Sequence, residues 1–120
     1  AGLIPRDVDA VNAHAASTKV GDRVEGKALE AVFEGNPPPV TANKSQLGHA
    51  MGASSALESI LAMQGMLDNC LPPTLNYQAD PELALDCVSK GARSLEQEFV
   101  LKNAFGFGGC NACIVLQKIG

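Results

Sequence analysis

The sequence of this 120-residue chain predicts a layered α/β fold, with a mixed sheet and one buried helix. Three patterns carry that expectation. Phe99-Val100-Leu101-Lys102-Asn103 and Ala112-Cys113-Ile114-Val115-Leu116 are strand-forming runs on either side of Phe105-Gly106-Phe107-Gly108-Gly109, so they should pair around that glycine turn. From Gly52 to Asn69, the residues Ala53, Ala56, Leu57, Ile60, Leu61, Met63, Met66 and Leu67 cover most of a helix circumference, and only Glu58, Gln64 and Asp68 are clearly polar. A helix apolar nearly all round belongs inside a larger structure. Short strand signals at Val8–Asn12 and Val40–Asn43 alternate with the helical ones.

In chain order, Ala1 to Pro5 reads as the tail of a helix, and Val8–Asn12 as a short strand entered after Pro5 and Asp7. Gly21-Asp22 opens a helix with Asp22 as N-cap and Glu25 three residues on, as in a capping box. Val24, Ala28, Leu29, Val32 and Phe33 give it one apolar face. Gly35-Asn36-Pro37-Pro38-Pro39 ends it, because proline cannot continue a helix. Val40–Asn43 then delivers Lys44 and a loop to His49. Leu71 to Asn76 is an extended connection, Asp80 to Leu85 is irregular, and Cys87-Val88 is a weak strand. No internal repeat or linker divides residues 1–120, which read as one unit.

Composition narrows the function classes. A content of 46% hydrophobic and 18% charged residues suits a folded chain and excludes disorder. Aromatics are only 4%, so Ala, Leu and Val must fill the core. A net charge of -4 offers no basic footprint for nucleic acid. No apolar run reaches the length of a membrane span, and no signal peptide opens the chain. Of four cysteines, only Cys110 and Cys113 are close. Their spacing allows half a zinc site or a redox pair, but a zinc site needs four ligands and Cys70 and Cys87 form no second knuckle. As small hydrophobes in a strand they are free thiols, which points to a reducing compartment.

The candidate site rests on scarcity. The chain's two histidines both sit in small-residue runs, Asn12-Ala13-His14-Ala15-Ala16-Ser17-Thr18 and Lys44-Ser45-Gln46-Leu47-Gly48-His49. With Asn103-Ala104-Phe105-Gly106-Phe107-Gly108-Gly109 these form three motifs in one order. On them, and over nearly all 120 residues, the chain resembles the C-terminal part of the β-ketoacyl-ACP synthases, condensing enzymes of fatty acid synthesis. That resemblance implies a thiolase-like fold of which this chain is part of the C-terminal half, and a nucleophilic cysteine outside it.

The resemblance also implies roles. His14 and His49 match the histidines that hold the thioester carbonyl of malonyl-ACP during decarboxylation. Two imidazoles with protonated nitrogens facing one cavity would stabilise the enolate oxygen. Lys44 matches a lysine that orients His49 and tunes the site charge. Glu25 matches an acid that pairs with that lysine, and is otherwise a capping-box acid; Asp22 reads as structural. Phe107 should supply an oxyanion-hole N–H and, with Phe105, a gate over the acyl pocket. A phosphate-binding glycine loop is the competing reading of that run, but no Gly-x-Gly-x-x-Gly opening a helix supports it. Thr18 keeps a hydroxyl that helps hold the pantetheine arm. Ala16 stands where the family usually has Thr, Cys110 replaces another Thr, and Gly52-Ala53-Ser54-Ser55 departs from Gly-Ala-Ala-Gly.

No cofactor or metal is implied. The implied partners are acyl carrier protein bearing acyl and malonyl thioesters, and a second copy in a homodimer. The implied compartment is the cytoplasm or the matrix or stroma of an organelle, not the secretory route. A non-catalytic chain-length-factor-like homologue, a polyketide ketosynthase fragment and a thiolase are the other readings. Retention of His14, Lys44 and His49 argues against the first. The chain ending soon after Leu116 disfavours the modular polyketide form, and Phe105 stands where a thiolase has its second cysteine.

Overall fold

The computed structural model describes all 120 residues. Strand β1 (Ala10–Asn12) leads to helix α1 (Lys19–Val32), strand β2 (Val40–Thr41), the one-turn helix α2 (Lys44–Leu47) and helix α3 (Ser54–Asp68). The short strands β3 (Cys70–Leu71) and β4 (Arg93–Ser94) follow, then the long hairpin β5 (Phe99–Gly106) and β6 (Cys110–Gln117). The main sheet runs β2-β1-β5-β6. β1 lies parallel to both neighbours, and β6 is antiparallel to β5, so the sheet is mixed as expected. No helix is long and apolar enough to cross a membrane.

Strand alternation builds two cores. Ala10 and Val100 point to one face, where Ala62, Met66, Leu71 and Val88 join them. Val11 and Val40 point to the other, against Ala13, Leu29 and Phe33. The sheet is therefore sandwiched between α3 and α1. On α3 the inward row is Ser54, Glu58, Ala62 and Met66, one residue per turn. Leu57, Ile60, Met63 and Leu67 are exposed, so this chain covers only one side of a helix that is apolar nearly all round. Glu58, counted among the polar residues of that helix, is on the buried side.

Several local expectations change. Ala1–Ile4 carry no helix, and Pro5–Asp7 form a single 3-10 turn. Helix α1 starts at Lys19 with Thr18 as N-cap, where Asp22 was expected. The Thr18 hydroxyl accepts the Gly21 N–H at 3.1 Å. Asp22 reaches back instead, accepting the N–H groups of Ser17 and Thr18 at 3.1 and 3.3 Å. A threonine in the extended conformation just before the helix satisfies an orphan donor one turn earlier than the aspartate could. The segment from Lys44 contains a helical turn, not only loop. Cys87 makes one parallel bridge to Val40, while the antiparallel pair β3–β4 carries no alternating pattern that would have marked it.

Helix α3 ends at Asn69, whose left-handed backbone closes the last turn. Gly65 sits where the chain doubles back, and a Cβ there would lie 2.6 Å from the Cys70 carbonyl oxygen. Gly65→Ala should therefore lower stability by about 1–3 kcal/mol, despite alanine's better helix propensity. Thermal unfolding of the full-length protein that carries this segment checks it; an unchanged or raised Tm would contradict the contact.

Candidate functional site

The site forms where the parallel strands end. Such carboxyl ends are where open α/β sheets gather their functional groups. β1 runs out into His14 and β2 into Asn43 and Lys44, while β5 contributes Asn103 and Phe105 from its second half. Asn12 and Asn43, both fully buried, are joined by a hydrogen bond from the Asn12 amide to the Asn43 side-chain oxygen, which fixes β1 against the start of α2. His49 follows α2 after Gly48, whose φ of 75° turns the chain.

The two imidazoles meet edge to face, with ring centroids 5.7 Å apart. Their surroundings fix their protons. Nδ1 of His14 accepts the Phe105 N–H at 3.3 Å and lies 3.4 Å from the Lys44 ammonium, which can only donate. Nδ1 of His49 accepts the Met51 N–H at 3.1 Å, with the Ser54 hydroxyl at 3.0 Å. When neutral, each ring must then carry its proton on Nε2. Burial first, and Lys44 second, push the His14 imidazole below its ordinary value, so it stays uncharged at neutral pH. Each ring thus presents its Nε2 as the N–H donor.

Lys44 is held by a different acid from the one expected. Its ammonium lies 2.6 Å from a carboxylate oxygen of Glu58 and donates to the His14 carbonyl at 2.6 Å. Glu25 makes no ion pair with it. The Glu25 carboxylate accepts the backbone N–H groups of His14 and Ala15, each at 2.8 Å, and the Asn103 amide at 3.0 Å. The reason is position. Glu25 lies on α1, on one face of the sheet, and Glu58 on α3, on the other. The second oxygen of Glu58 takes Lys102 at 2.6 Å. Burial pulls the Lys102 ammonium below its ordinary value, while the Glu58 carboxylate beside it opposes that shift.

With that geometry in place, the comparisons with known proteins bear on one point. The profile of the family described as "Beta-ketoacyl synthase, C-terminal domain" matches residues 1–78. The chain belongs to the β-ketoacyl synthase family. It is 49% identical over 119 residues to the 3-oxoacyl-[acyl-carrier-protein] synthase 2 of Mycobacterium tuberculosis, covering 98% of this chain and 28% of that protein. Among solved structures it is similar to the ishigamide ketosynthase/chain length factor, with a TM-score of 0.94 and 36% identity over 99% of this chain and 30% of that one. A type II PKS acyl-carrier protein in complex with its ketosynthase bound to the hexaketide gives 0.92 and 30% identity, over 98% of this chain and 30% of that one. The chain thus spans under a third of the length of the relatives it matches. Its fold is the ketosynthase fold, with the mixed sheet and thiolase-like layering that the motifs implied.

In this β-ketoacyl synthase domain the glycine run forms the tip of the β5–β6 hairpin. Gly108 and Gly109 both adopt positive φ there, 79° and 81°, which only glycine does freely. Phe105 packs its ring 5.5 Å from that of His14, and Phe107 is fully exposed at the tip. A cavity of about 700 Å³ opens beside the site, lined by His49, Lys44, Glu25, Ser17 and Thr18, and reaches Tyr77 and Cys87. His14 does not line it, so the two imidazoles adjoin each other without both facing that one cavity. Cys110 and Cys113 lie three residues apart on β6, which directs them to opposite faces of the strand.

The sequence reading missed Glu58, Lys102 and Asn103. A carboxylate in an otherwise apolar helix, and a lysine interrupting the apolar strand Val100-Leu101, were the available signals. The fold's effect on His14 is testable through pH. Its folded pKa lies below the unfolded value near 6.5, so the unfolded chain takes up the proton first as the pH drops. This contribution is whole above that value and is lost as the pH falls through the folded one. Urea midpoints from pH 7.5 to 5 should drop more for wild type than for His14→Gln; parallel curves would contradict the shift.

Proposed function

We propose that this segment supplies the decarboxylation half-site of a 3-oxoacyl-ACP synthase, acting in fatty acid elongation. The reaction joins malonyl-ACP to an acyl group held as a thioester on a cysteine elsewhere in the full-length protein. Breaking the carboxylate C–C bond of the malonyl group releases carbon dioxide and leaves the electron pair in an enolate whose charge rests on the thioester oxygen. The enolate carbon then attacks the acyl carbonyl, and the cysteine thiolate leaves. The observation that carries the reading is the occupied Nδ1 on both imidazoles of the edge-to-face pair, which leaves each ring's Nε2 as its N–H donor. Preorganised donors aimed at a developing oxyanion are the arrangement that lowers such a barrier.

In this reading Lys44 is a positioning residue for His14, not for His49 as expected, holding His14 by its carbonyl and opposing protonation of the ring. Glu25 and Asp22 fix the backbone that presents His14 and Thr18. Phe107 serves the acyl oxyanion through its N–H and, with Phe105, gates the acyl pocket. Thr18 holds the pantetheine arm with the hydroxyl hydrogen that its capping role leaves free to donate. The partner is acyl carrier protein, and the whole enzyme is a homodimer of a reducing compartment. The 49% identity to a 3-oxoacyl-[acyl-carrier-protein] synthase supports the fatty acid reading.

In the full-length protein, His14→Ala and His49→Ala should each cut malonyl-ACP decarboxylation by about 10²–10³-fold while leaving acylation of the nucleophile largely intact, because the enolate exists only in the decarboxylation step. Radiolabelled carbon dioxide release and mass spectrometry of the acyl-enzyme separate the two. Equal loss of both steps in both variants would refute this division of roles.

A further inference from the structure

The Lys44–Glu58 pair would form a complete unit by itself, one ammonium on one carboxylate. The structure adds a third member. Lys102 is 2% exposed, lies on β5, and spends its ammonium on the other oxygen of Glu58 and on the Asn103 carbonyl. Two positive charges therefore share one negative charge in a buried space. Burying an ammonium costs several kcal/mol before pairing is counted, so a second one has to be explained. An apolar side chain at 102 would extend the Val100 core and leave Lys44 and Glu58 as a neutral pair.

The trio meets His14 through Lys44, whose ammonium lies 3.4 Å from the ring's Nδ1. The charged and titratable groups around that ring come from every packed element: Lys44 from α2, Glu58 from α3, Lys102 from β5, Glu25 and Asp22 from α1, and His49 beside it. Glu25 is engaged by three N–H groups, and its charge opposes that of the lysines at the His14 ring. Lys102 makes no bond to the His14 segment; its ammonium goes to Glu58 and the Asn103 carbonyl. We propose that Lys102 is a positioning residue of the decarboxylation site: by sharing Glu58 it stops that carboxylate from neutralising Lys44, so the Lys44–Glu58–Lys102 trio keeps one net positive charge that offsets Glu25 and helps hold His14 as the neutral Nε2–H donor. The inference rests on the proposed role of His14. It goes beyond that role by assigning a function to a lysine outside the three motifs.

The test uses the full-length protein with Lys102→Met and Lys102→Gln, which remove the charge, and Lys102→Arg, which keeps it. The first readout is the His14 titration, followed by NMR of ring-labelled histidine and assigned with His14→Gln. Both neutral variants should raise the His14 pKa, by about half a unit to one unit for loss of one nearby charge, and the arginine variant should leave it in place. The second readout is the pH profile of malonyl-thioester decarboxylation. Its acid limb should move up by the same amount in the neutral variants, with KM unchanged. A His14 titration that ignores the charge at position 102 overturns the proposal, as does failure of both neutral variants to fold. The NMR arm stands without turnover. A shifted titration in a protein that decarboxylates no malonyl thioester would sink the proposed reaction while leaving the electrostatic role of Lys102 in place.

Discussion

Most of this structure answers to one buried carboxylate. Glu58 is 1% exposed, and its two oxygens each lie 2.6 Å from a lysine ammonium, Lys44 on α2 and Lys102 on β5. Three charges out of water are tolerable only if each keeps a partner; removing Glu58 would leave two ammonium groups uncompensated, at a cost of about 3–5 kcal/mol. That condition sets the rotation of α3. The helix is apolar nearly all round, and hydrophobicity alone would let several faces pack on the sheet. Glu58 selects the Ser54, Ala62 and Met66 row, and the position of Lys102 on β5 fixes where along the strand the helix must lie. A polar cluster thus supplies the specificity that an undifferentiated apolar helix lacks.

The opposite face of the sheet repeats the device with neutral donors. Alternation along β5 sends Lys102 toward α3 and Asn103 toward α1, where Asn103 holds Glu25. Between these two anchors the segment after β1 is clamped, its N–H groups at His14 and Ala15 by Glu25 and its carbonyl at His14 by Lys44. The clamp bears a load. Ala15 and Ser17 have φ of 36° and 64°, a region that costs a non-glycine residue roughly 1–3 kcal/mol. Charge-assisted hydrogen bonds to the strained backbone offset that cost, and the return is an imidazole held in one orientation with one tautomer.

The legible part of the fold was what local pattern encodes. The hairpin around the glycine run, both parallel strands and the two long helices follow from period and punctuation in the sequence. The start of α1 was misread because Asp22 and Glu25 fit a capping box in spacing, while tertiary structure recruits both to the turn before the helix. The strands β3 and β4 are two residues each, too short for any periodicity to register. At the site, the histidines and Lys44 were legible because they are scarce and flanked by small residues. The partner of Lys44 was not. Glu25 and Glu58 are 19 and 14 residues from it in sequence, and only the side of the sheet that each helix packs on decides between them. A chain cannot announce that choice before its strand order is known.

The arrangement also separates the rigid from the reachable. Every group that fixes His14 is buried or bonded to the backbone, whereas the groups facing outward, Phe107 at the hairpin tip and Thr18 at the mouth of the cavity, are exposed. A donor pair must keep its geometry while charge develops, since reorganising it at that moment would return the barrier it removes. In the proposed function a substrate arm and an acyl gate would face the reverse demand, as they would have to admit one thioester and release another. Placing the charges behind the histidines and the glycines in front of them meets both demands with one hairpin. β5 carries Lys102 and Asn103 inward near its middle, and the same strand runs out four residues later into Phe107 and its flanking glycines. The spacing along that strand is short enough to tie the hairpin tip to the donors and long enough to leave that tip outside the charged core.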